Sequence, residues 1–306
     1  MVKPIIITHP TCVKHETGHG HLERPERLTS ILEMLDRDLP DLQVLKATLG
    51  TDEQIRLAHP QIYLDDVITS IPKSGIAQLE GDTFVGPKSL DAARYAVGGA
   101  CQAVDLVMAD QARSVFVATR PPGHHAEPER AMGFCIFANA YIAARWAQEK
   151  YDAKNVAIVD FDVHHGNGTA AMIYADMRPD VYFISTHQHP LYPGTGNPDI
   201  DDDANGRIID IPLPAGTTGE MFRAVYAGTV IPALENIKPD LLILSAGFDA
   251  HKKDPIGGMR LNDQDFFDIT RMLMATCPKI VSVLEGGYDL DALASATRAH
   301  LQALGA

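Results

Sequence analysis

The 306-residue chain is poor in several features that would each mark out a class of protein. It has four cysteines, Cys12, Cys101, Cys135 and Cys277, with no CxxC pair and no dense spacing. That excludes a disulfide framework and suits a reducing compartment, so a cytoplasmic protein is expected. No apolar run approaches the ~18 residues that a membrane span needs. The opening Ile5-Ile6-Ile7 gives way to Thr8-His9-Pro10, which is no signal-peptide core. Basic charge is also scarce, with 26 Lys+Arg against 40 Asp+Glu and a net charge of −14. Attraction to nucleic acid or anionic membrane is therefore not expected, whereas a cationic partner would be favoured. GxSxG does not occur, so a serine-hydrolase reading lacks support. Gly194-Thr195-Gly196 lacks the third glycine of a dinucleotide fingerprint. There is no internal repeat, low-complexity linker or shift in composition.

What remains is a chain with 45% hydrophobic and 22% charged residues, enough to bury a full core. Short apolar runs recur at Ile5–Thr8, Val44–Ala47, Val115–Ala118, Val156–Asp160, Val181–Ser185, Ile208–Ile211, Leu241–Ser245 and Ile280–Leu284. They are near-continuously apolar, as strands buried on both faces of a parallel sheet must be. Helical spacing follows Pro25 through Leu28, Ile31, Leu32 and Leu35, and recurs over 88–109, 137–150, 263–276 and 290–304. Thr217 with Glu220 forms the expected capping box of a helix over 218–236. This alternation predicts one α/β domain over 1–306, with roughly eight mostly parallel strands flanked by helices. In such sheets the working residues stand beyond the carboxyl ends of the strands.

Four strand ends carry chemistry. Val159-Asp160-Phe161-Asp162-Val163-His164-His165-Gly166-Asn167-Gly168 places Asp162 and His164 on one face of an extended chain, within reach of one metal ion. A lone aspartate there would often only cap the next helix, but two Asp and two His within so few residues is another matter. Leu244-Ser245-Ala246-Gly247-Phe248-Asp249 adds a second carboxylate. Asp162, His164 and Asp249 make a three-ligand set with open positions, the pattern of catalytic rather than structural sites. Arg120-Pro121-Pro122-Gly123-His124-His125 presents two histidines on a rigid loop, suited to general acid–base work, with Asp160 and Asn167 as candidate orienting partners. In Leu284-Glu285-Gly286-Gly287-Tyr288 the glycines allow a turn that aims the Tyr288 hydroxyl inward as an oxyanion donor.

Taken together these motifs, in this order and over nearly the whole chain from His19–Arg27 to about Leu290, resemble the zinc-dependent histone deacetylases and acetylpolyamine amidohydrolases. The likeness is closest to the class II deacetylases and implies the arginase-like fold. It makes Asp162, His164 and Asp249 the zinc ligands, His125 the proton-transferring histidine, and His124 its electrostatic neighbour paired with Asp160. Tyr288 becomes the residue that polarises the acetyl carbonyl. Gly133 and Phe134 match one wall of an acyl-lysine tunnel, and Tyr192 the opposite one. Arg27 matches the arginine of an internal product channel. A structural potassium is implied at Asp160, Ser185 and the carbonyls of Asp162, His164 and Thr186. Asn167 stands where class I members have aspartate and class II members asparagine. A neutral amide orients His125 but stabilises its cation less than a carboxylate does.

The implied activity is metal-dependent hydrolysis of the ε-acetamide of acetyl-lysine in peptides or proteins. The alternatives are acetylpolyamine hydrolysis and a catalytically silent acyl-lysine-binding module, the latter disfavoured because no ligand, base or oxyanion donor is missing. Polyamine-selective class II members carry a glutamate where this chain has Ile256, which favours peptides. Iron or cobalt can occupy the same ligands as zinc. Asp201-x-Asp203-x-Asn205-Gly206 mimics the start of a calcium loop, but its twelfth position is Pro212, so a solvated acidic turn is expected. Asn167-Gly168-Thr169 fits a glycosylation pattern but lies inside the candidate site. His19 and His21 are expected to shape an entrance loop.

Overall fold

A computed structural model describes residues 3–176, 180–197 and 206–306. Asp201, Asp203 and Asn205 of the calcium-loop mimic lie outside the described residues. Among the described residues, eight parallel strands form one sheet: β1 (Ile5–Thr8), β2 (Val44–Lys46), β5 (Ser114–Val117), β6 (Val156–Asp160), β7 (Val181–Gln188), β8 (Ile208–Leu213), β9 (Leu241–Ala246) and β10 (Ile280–Leu284). Their order across the sheet is β2-β1-β5-β10-β9-β6-β7-β8. β3 (Ala77–Glu80) and β4 (Thr83–Val85) form a separate antiparallel hairpin.

The strands are buried on both faces because each face meets helices. Ala157 and Val159 of β6, with Leu242 and Leu244 of β9, pack with residues of α1 (Pro25–Asp38), α9 (Asp263–Met274) and α10 (Leu290–Leu304). The alternate residues, Val156, Ile158, Leu241 and Ile243, face α4 (Ser89–Met108), α5 (Asn139–Tyr151) and α6 (Asn167–Ala175). Period-two alternation thus feeds two apolar layers, and the continuous runs in the sequence have this cause.

The expected helix over 218–236 is observed as α7 (Gly219–Val225), a π-helical turn at Tyr226–Val230 and α8 (Ile231–Ile237). Its cap is one residue later than expected. Thr218, not Thr217, accepts the Met221 N–H, and the Thr217 hydroxyl donates instead to the Pro214 carbonyl. Residues 51–86 form an unanticipated insert of α2 (Asp52–Ile55), α3 (Gln61–Ser70) and the β3–β4 hairpin. A third core cluster, including Tyr63, Leu64, Val67, Ile136 and Phe137, joins it to the segment after Phe134.

Several buried histidines give the fold an acid sensitivity, His59 and His300 among them. His59 Nε2 accepts the Ala138 N–H at 3.0 Å while its Nδ1 donates to Pro128 O at 3.0 Å, so the ring is neutral and its tautomer fixed. Thr270 donates its one hydroxyl hydrogen to Phe266 O, so His300 Nδ1 donates to Thr270 Oγ1 and His300 Nε2 accepts from Ser282. Burial lowers His59 from 6.5 to about 4 and His300 to about 3. Below pH 6.5 the unfolded chain therefore binds protons that the folded chain refuses. Stability is full above that value and falls as pH drops toward about 4. Each histidine should remove about 1.4 kcal/mol per pH unit in this window. Urea unfolding at about pH 7 and about pH 5 measures it. His300→Gln should flatten the slope by one histidine's share, and an unchanged slope contradicts the assignment.

Candidate active site

The sheet order assembles the site. β5, β10, β9 and β6 are consecutive neighbours, so the four motif segments that leave their carboxyl ends meet at one edge of the sheet. Asp162 and His164 follow β6, Asp249 follows β9, Tyr288 follows β10, and the histidine pair follows β5.

Asp162, His164 and Asp249 are all buried, and one ligand atom from each lies within 4.8 Å of the others. His164 Nδ1 stands between the carboxylates, 3.0 Å from Asp162 Oδ1 and 3.1 Å from Asp249 Oδ2. Main-chain donors fix the acids. Gly286 N–H reaches Asp162 Oδ2 at 2.8 Å, and Val163 N–H reaches Asp249 Oδ1 at 2.7 Å. Gly286 must be glycine, because a Cβ there would run into both carboxylates. Burial, reinforced by Asp162, raises Asp249 to about 7, while burial of His164 is overcome by the two acids, which raise it to about 10. This is an excess of buried negative charge. Two carboxylates and one imidazole fit a divalent cation.

A second buried group, His124, Cys135 and Glu285, has a similar spacing but different chemistry. Glu285 Oε2 already accepts the N–H groups of Gly123 and His124, at 2.7 and 3.1 Å. The Cys135 thiol donates to Gly133 O, and burial raises it well above its usual range. A protonated thiol and a saturated carboxylate oxygen do not make a metal site.

The adjacent histidines are placed in opposite electrostatic states. His124 Nδ1 lies 3.0 Å from Asp160 Oδ2. Burial disfavours its cation, but Asp162 and Asp160 outweigh this and raise it well above 6.5. His125 is lowered well below 6.5, first by burial and then by the charges of His124 and His164. Its Nδ1 lies 2.7 Å from Asn167 Oδ1, and Asn167 Nδ2 donates to Glu127 Oε1 at 2.8 Å. Glu127 therefore fixes the amide orientation, Asn167 accepts the Nδ1 hydrogen, and the Nε2 lone pair of His125 is free to take a proton.

A cavity of about 270 Å³ leads to these groups, lined by Leu22, Asp82, Gly133, Phe134, Leu191, Tyr192 and Ile256 and ending on His125, His164 and Tyr288. Phe134 meets Tyr288 edge-on at 5.9 Å, and Tyr192 stands edge-on to His125 at 5.2 Å. Gly133 has φ +55°, and its missing side chain makes room for the His125 ring. Arg27 is fully buried and off the cavity wall. Its guanidinium lies 4.8 Å from the Tyr288 ring centroid and donates to the carbonyls of Gly287 and Glu285. Asp160 and Ser185 are register partners on β6 and β7, and the Thr186 hydroxyl donates to Asp160 O.

Sequence reasoning missed Leu22, Leu191 and Asp82 on this wall. Asp82 lies in the β3–β4 turn and accepts the Gly133 N–H at 2.9 Å. An exposed-looking Gly-Asp-Thr gives no signal of that contact. The entrance-loop histidine His21 packs against Phe134 at 4.8 Å, while His19 is exposed. Asn167 of the glycosylation pattern is buried.

Comparison with known proteins adds independent findings. The pattern of the histone deacetylase domain matches residues 21–304. An uncharacterized protein of Synechocystis is 40% identical, covering 98% of each chain. The histone deacetylase-like amidohydrolase of Pseudomonas aeruginosa is 36% identical over 90% of this chain and 75% of its own. Among solved structures, the HDA15 HD domain superposes with a TM-score of 0.93 at 31% identity, covering 99% of this chain and 91% of that one.

The buried donor set leads to a direct expectation. Protein stripped of metal should take up about one Co²⁺ or Zn²⁺ per chain, and Asp249→Ala should lose at least about tenfold in affinity while still folding. Spectroscopic titration with Co²⁺ reads this out. Unaltered binding by Asp249→Ala would show that the cation sits elsewhere.

Proposed function

The chain belongs to the histone deacetylase family of hydrolases, and we propose that residues 1–306 act as one cytoplasmic catalytic domain removing acetyl groups from the ε-amine of lysine in peptides or proteins. The observation that carries this reading is the cavity. Its walls are aromatic and aliphatic apart from Asp82, and its floor carries a neutral histidine, a tyrosine and His164 of the buried acid–imidazole group. Phe134 and Tyr192 suit the apolar methylenes of a lysine stem, and the acyl amide then reaches the floor.

Asp162, His164 and Asp249 would hold zinc, which supplies Lewis acidity toward water and the acyl carbonyl. His125 Nε2 takes the proton of the attacking water and later gives it to the departing amine, so that the C–N bond breaks to acetate and lysine. Asn167 keeps Nδ1 protonated throughout, and the charge on His124 opposes a second cation beside it. The Tyr288 hydroxyl, kept neutral because burial raises it well above 10, donates to the carbonyl oxygen as negative charge grows there. Potassium at Asp160, Ser185 and the carbonyls of Asp162, His164 and Thr186 is part of the same proposal, as is a product path past Arg27. Buried Asp160 and its register partner Ser185 support the former.

Tyr288→Phe should retain fold and metal and lower kcat by roughly 10²–10³, the scale of one oxyanion donor. A rate within about twofold of wild type would remove Tyr288 from the mechanism.

Substrate choice turns on Ile256. The apolar Ile256 gives the second ammonium of an acetylpolyamine no partner at its position, where a desolvated, unpaired charge is penalised. The carboxylate on the cavity wall, Asp82, is already engaged by the Gly133 N–H. The net charge of −14 works in the opposite direction by attracting any polycation. We expect the local term to win, with higher kcat/KM for an acetyl-lysine peptide than for acetylspermidine. Ile256→Glu should move the ratio toward acetylspermidine. Direct competition of the two substrates decides, and preference of the wild type for acetylspermidine would refute the assignment to peptides.

A further inference from the structure

We propose that Asp254 is a positioning residue for Tyr288: it sets the phenol in the cavity by holding the Tyr288 main chain, and it does not itself touch substrate. The inference rests on the oxyanion role given to Tyr288 above. Asp254 lies between β9 and α9, and its side chain is buried. Its two carboxylate oxygens serve different segments. Oδ2 accepts the Tyr288 N–H at 2.7 Å, and Oδ1 accepts the N–H groups of Ile256 at 3.0 Å and Gly257 at 3.4 Å. One carboxylate thus ties the oxyanion donor on one strand end to the cavity-wall residue that follows another.

The two segments do not depend on it equally. Gly258 N–H donates to Gln188 Oε1 at 2.7 Å, Gly258 O accepts the Gly216 N–H at 2.8 Å, and Gly257 packs on the Asp249 carbonyl. The 254–258 loop is therefore held at several points. Tyr288 follows Gly286 and Gly287, and Gly287 has φ +121°, so the chain before it has little conformational preference of its own. Behind it, Asp289 caps α10 through the Ala292 N–H and constrains only what comes after. Tyr288 is fixed from outside: by Asp254 at its N–H, by Arg27, which donates to Gly287 O at 2.6 Å and lies over the ring, and by Phe134 edge-on to the ring. Loss of the carboxylate should be felt first at the phenol. Because misplacing a catalytic group by about an ångström loses up to 10²-fold in rate, the effect should be large without any contact to substrate.

Asp254→Asn preserves shape but offers one acceptor oxygen where two are used. Its amide hydrogens then face either Tyr288 N–H or the loop N–H groups. The test is a double-mutant cycle with Tyr288→Phe, read as kcat on an acetyl-lysine peptide, with KM and bound Co²⁺ measured alongside. Asp254→Asn should lower kcat by at least about tenfold in the wild type and by less than about twofold in Tyr288→Phe, with KM and metal content within about twofold in both. Equal losses in the two backgrounds would overturn the proposal, because a merely structural brace acts whether or not the hydroxyl is present. If Tyr288→Phe alone has the wild-type rate, the mechanism proposed for Tyr288 fails and this inference fails with it. Asp254→Ser, which keeps one small acceptor, is run in parallel. If neither variant folds, Asp254 serves the fold rather than the phenol and the proposal is refuted.

Discussion

Two like charges buried side by side are the constraint on which the rest of this structure depends. Asp162 and Asp249 share one imidazole nitrogen of His164 beneath the sheet's carboxyl edge, where desolvation opposes every ionised form. Such a pair persists only where donors are aimed at it. The surrounding backbone supplies them from Val163, His164 and Gly286. The requirement that Gly286 and Gly247 lack side chains follows from the same crowding. The protein's glycine-rich strand ends are the space that these acids need.

Charge balance extends outward from that centre. His124, cationic between Asp160 and Asp162, offsets part of the negative charge and pushes the neighbouring His125 toward neutrality. Two histidines adjacent in sequence thereby acquire opposite protonation preferences from their surroundings. Behind them, Glu23 receives two hydrogen bonds from Arg120 and one from Arg27. These arginines hold Glu23 down to about 2 despite its burial, with Arg120 the larger influence. Arg120 begins the histidine loop and Arg27 backs Tyr288. The pair of ion contacts thus ties the N-terminal segment to both halves of the floor, and removing either partner would leave a buried charge uncompensated.

The walls of the cavity have a different origin. Gly133 and Phe134 sit in a loop with no regular structure, and they are held by the 51–86 insert: the Asp82 carboxylate takes the Gly133 N–H, the Thr83 hydroxyl takes the Phe134 N–H, and Tyr63 donates to Ile136 O. On the opposite side His165 is hydrogen-bonded to Thr195, and His187 donates to Gly196 O, which anchors the segment carrying Tyr192. Floor residues come from a rigid sheet and wall residues from braced loops. Substrate preference can therefore change with loop sequence while the floor stays intact.

The sequence by itself determined the layered α/β fold, because strands buried on two faces must be continuously apolar and helices between them must carry a 3.6-residue stripe. It also exposed the floor residues, since acids and histidines that end apolar runs stand out against them. Asp162, His164, Asp249 and the histidine pair stood out on that ground, whereas Gly-Gly-Tyr says little by itself and Tyr288 was singled out through the resemblance of the combined motifs. Only the tertiary structure decided that β10 inserts between β5 and β9, bringing Tyr288 beside Asp249 and the histidine loop. Parallel strands are joined by long crossovers, so no local signal specifies which strand lies next to which. It also decided the proton positions on His125 through Asn167 and Glu127, and the wall contacts of Asp82, Leu22 and Leu191. These depend on residues far apart in the chain, whose side chains find partners only after the sheet has closed around them.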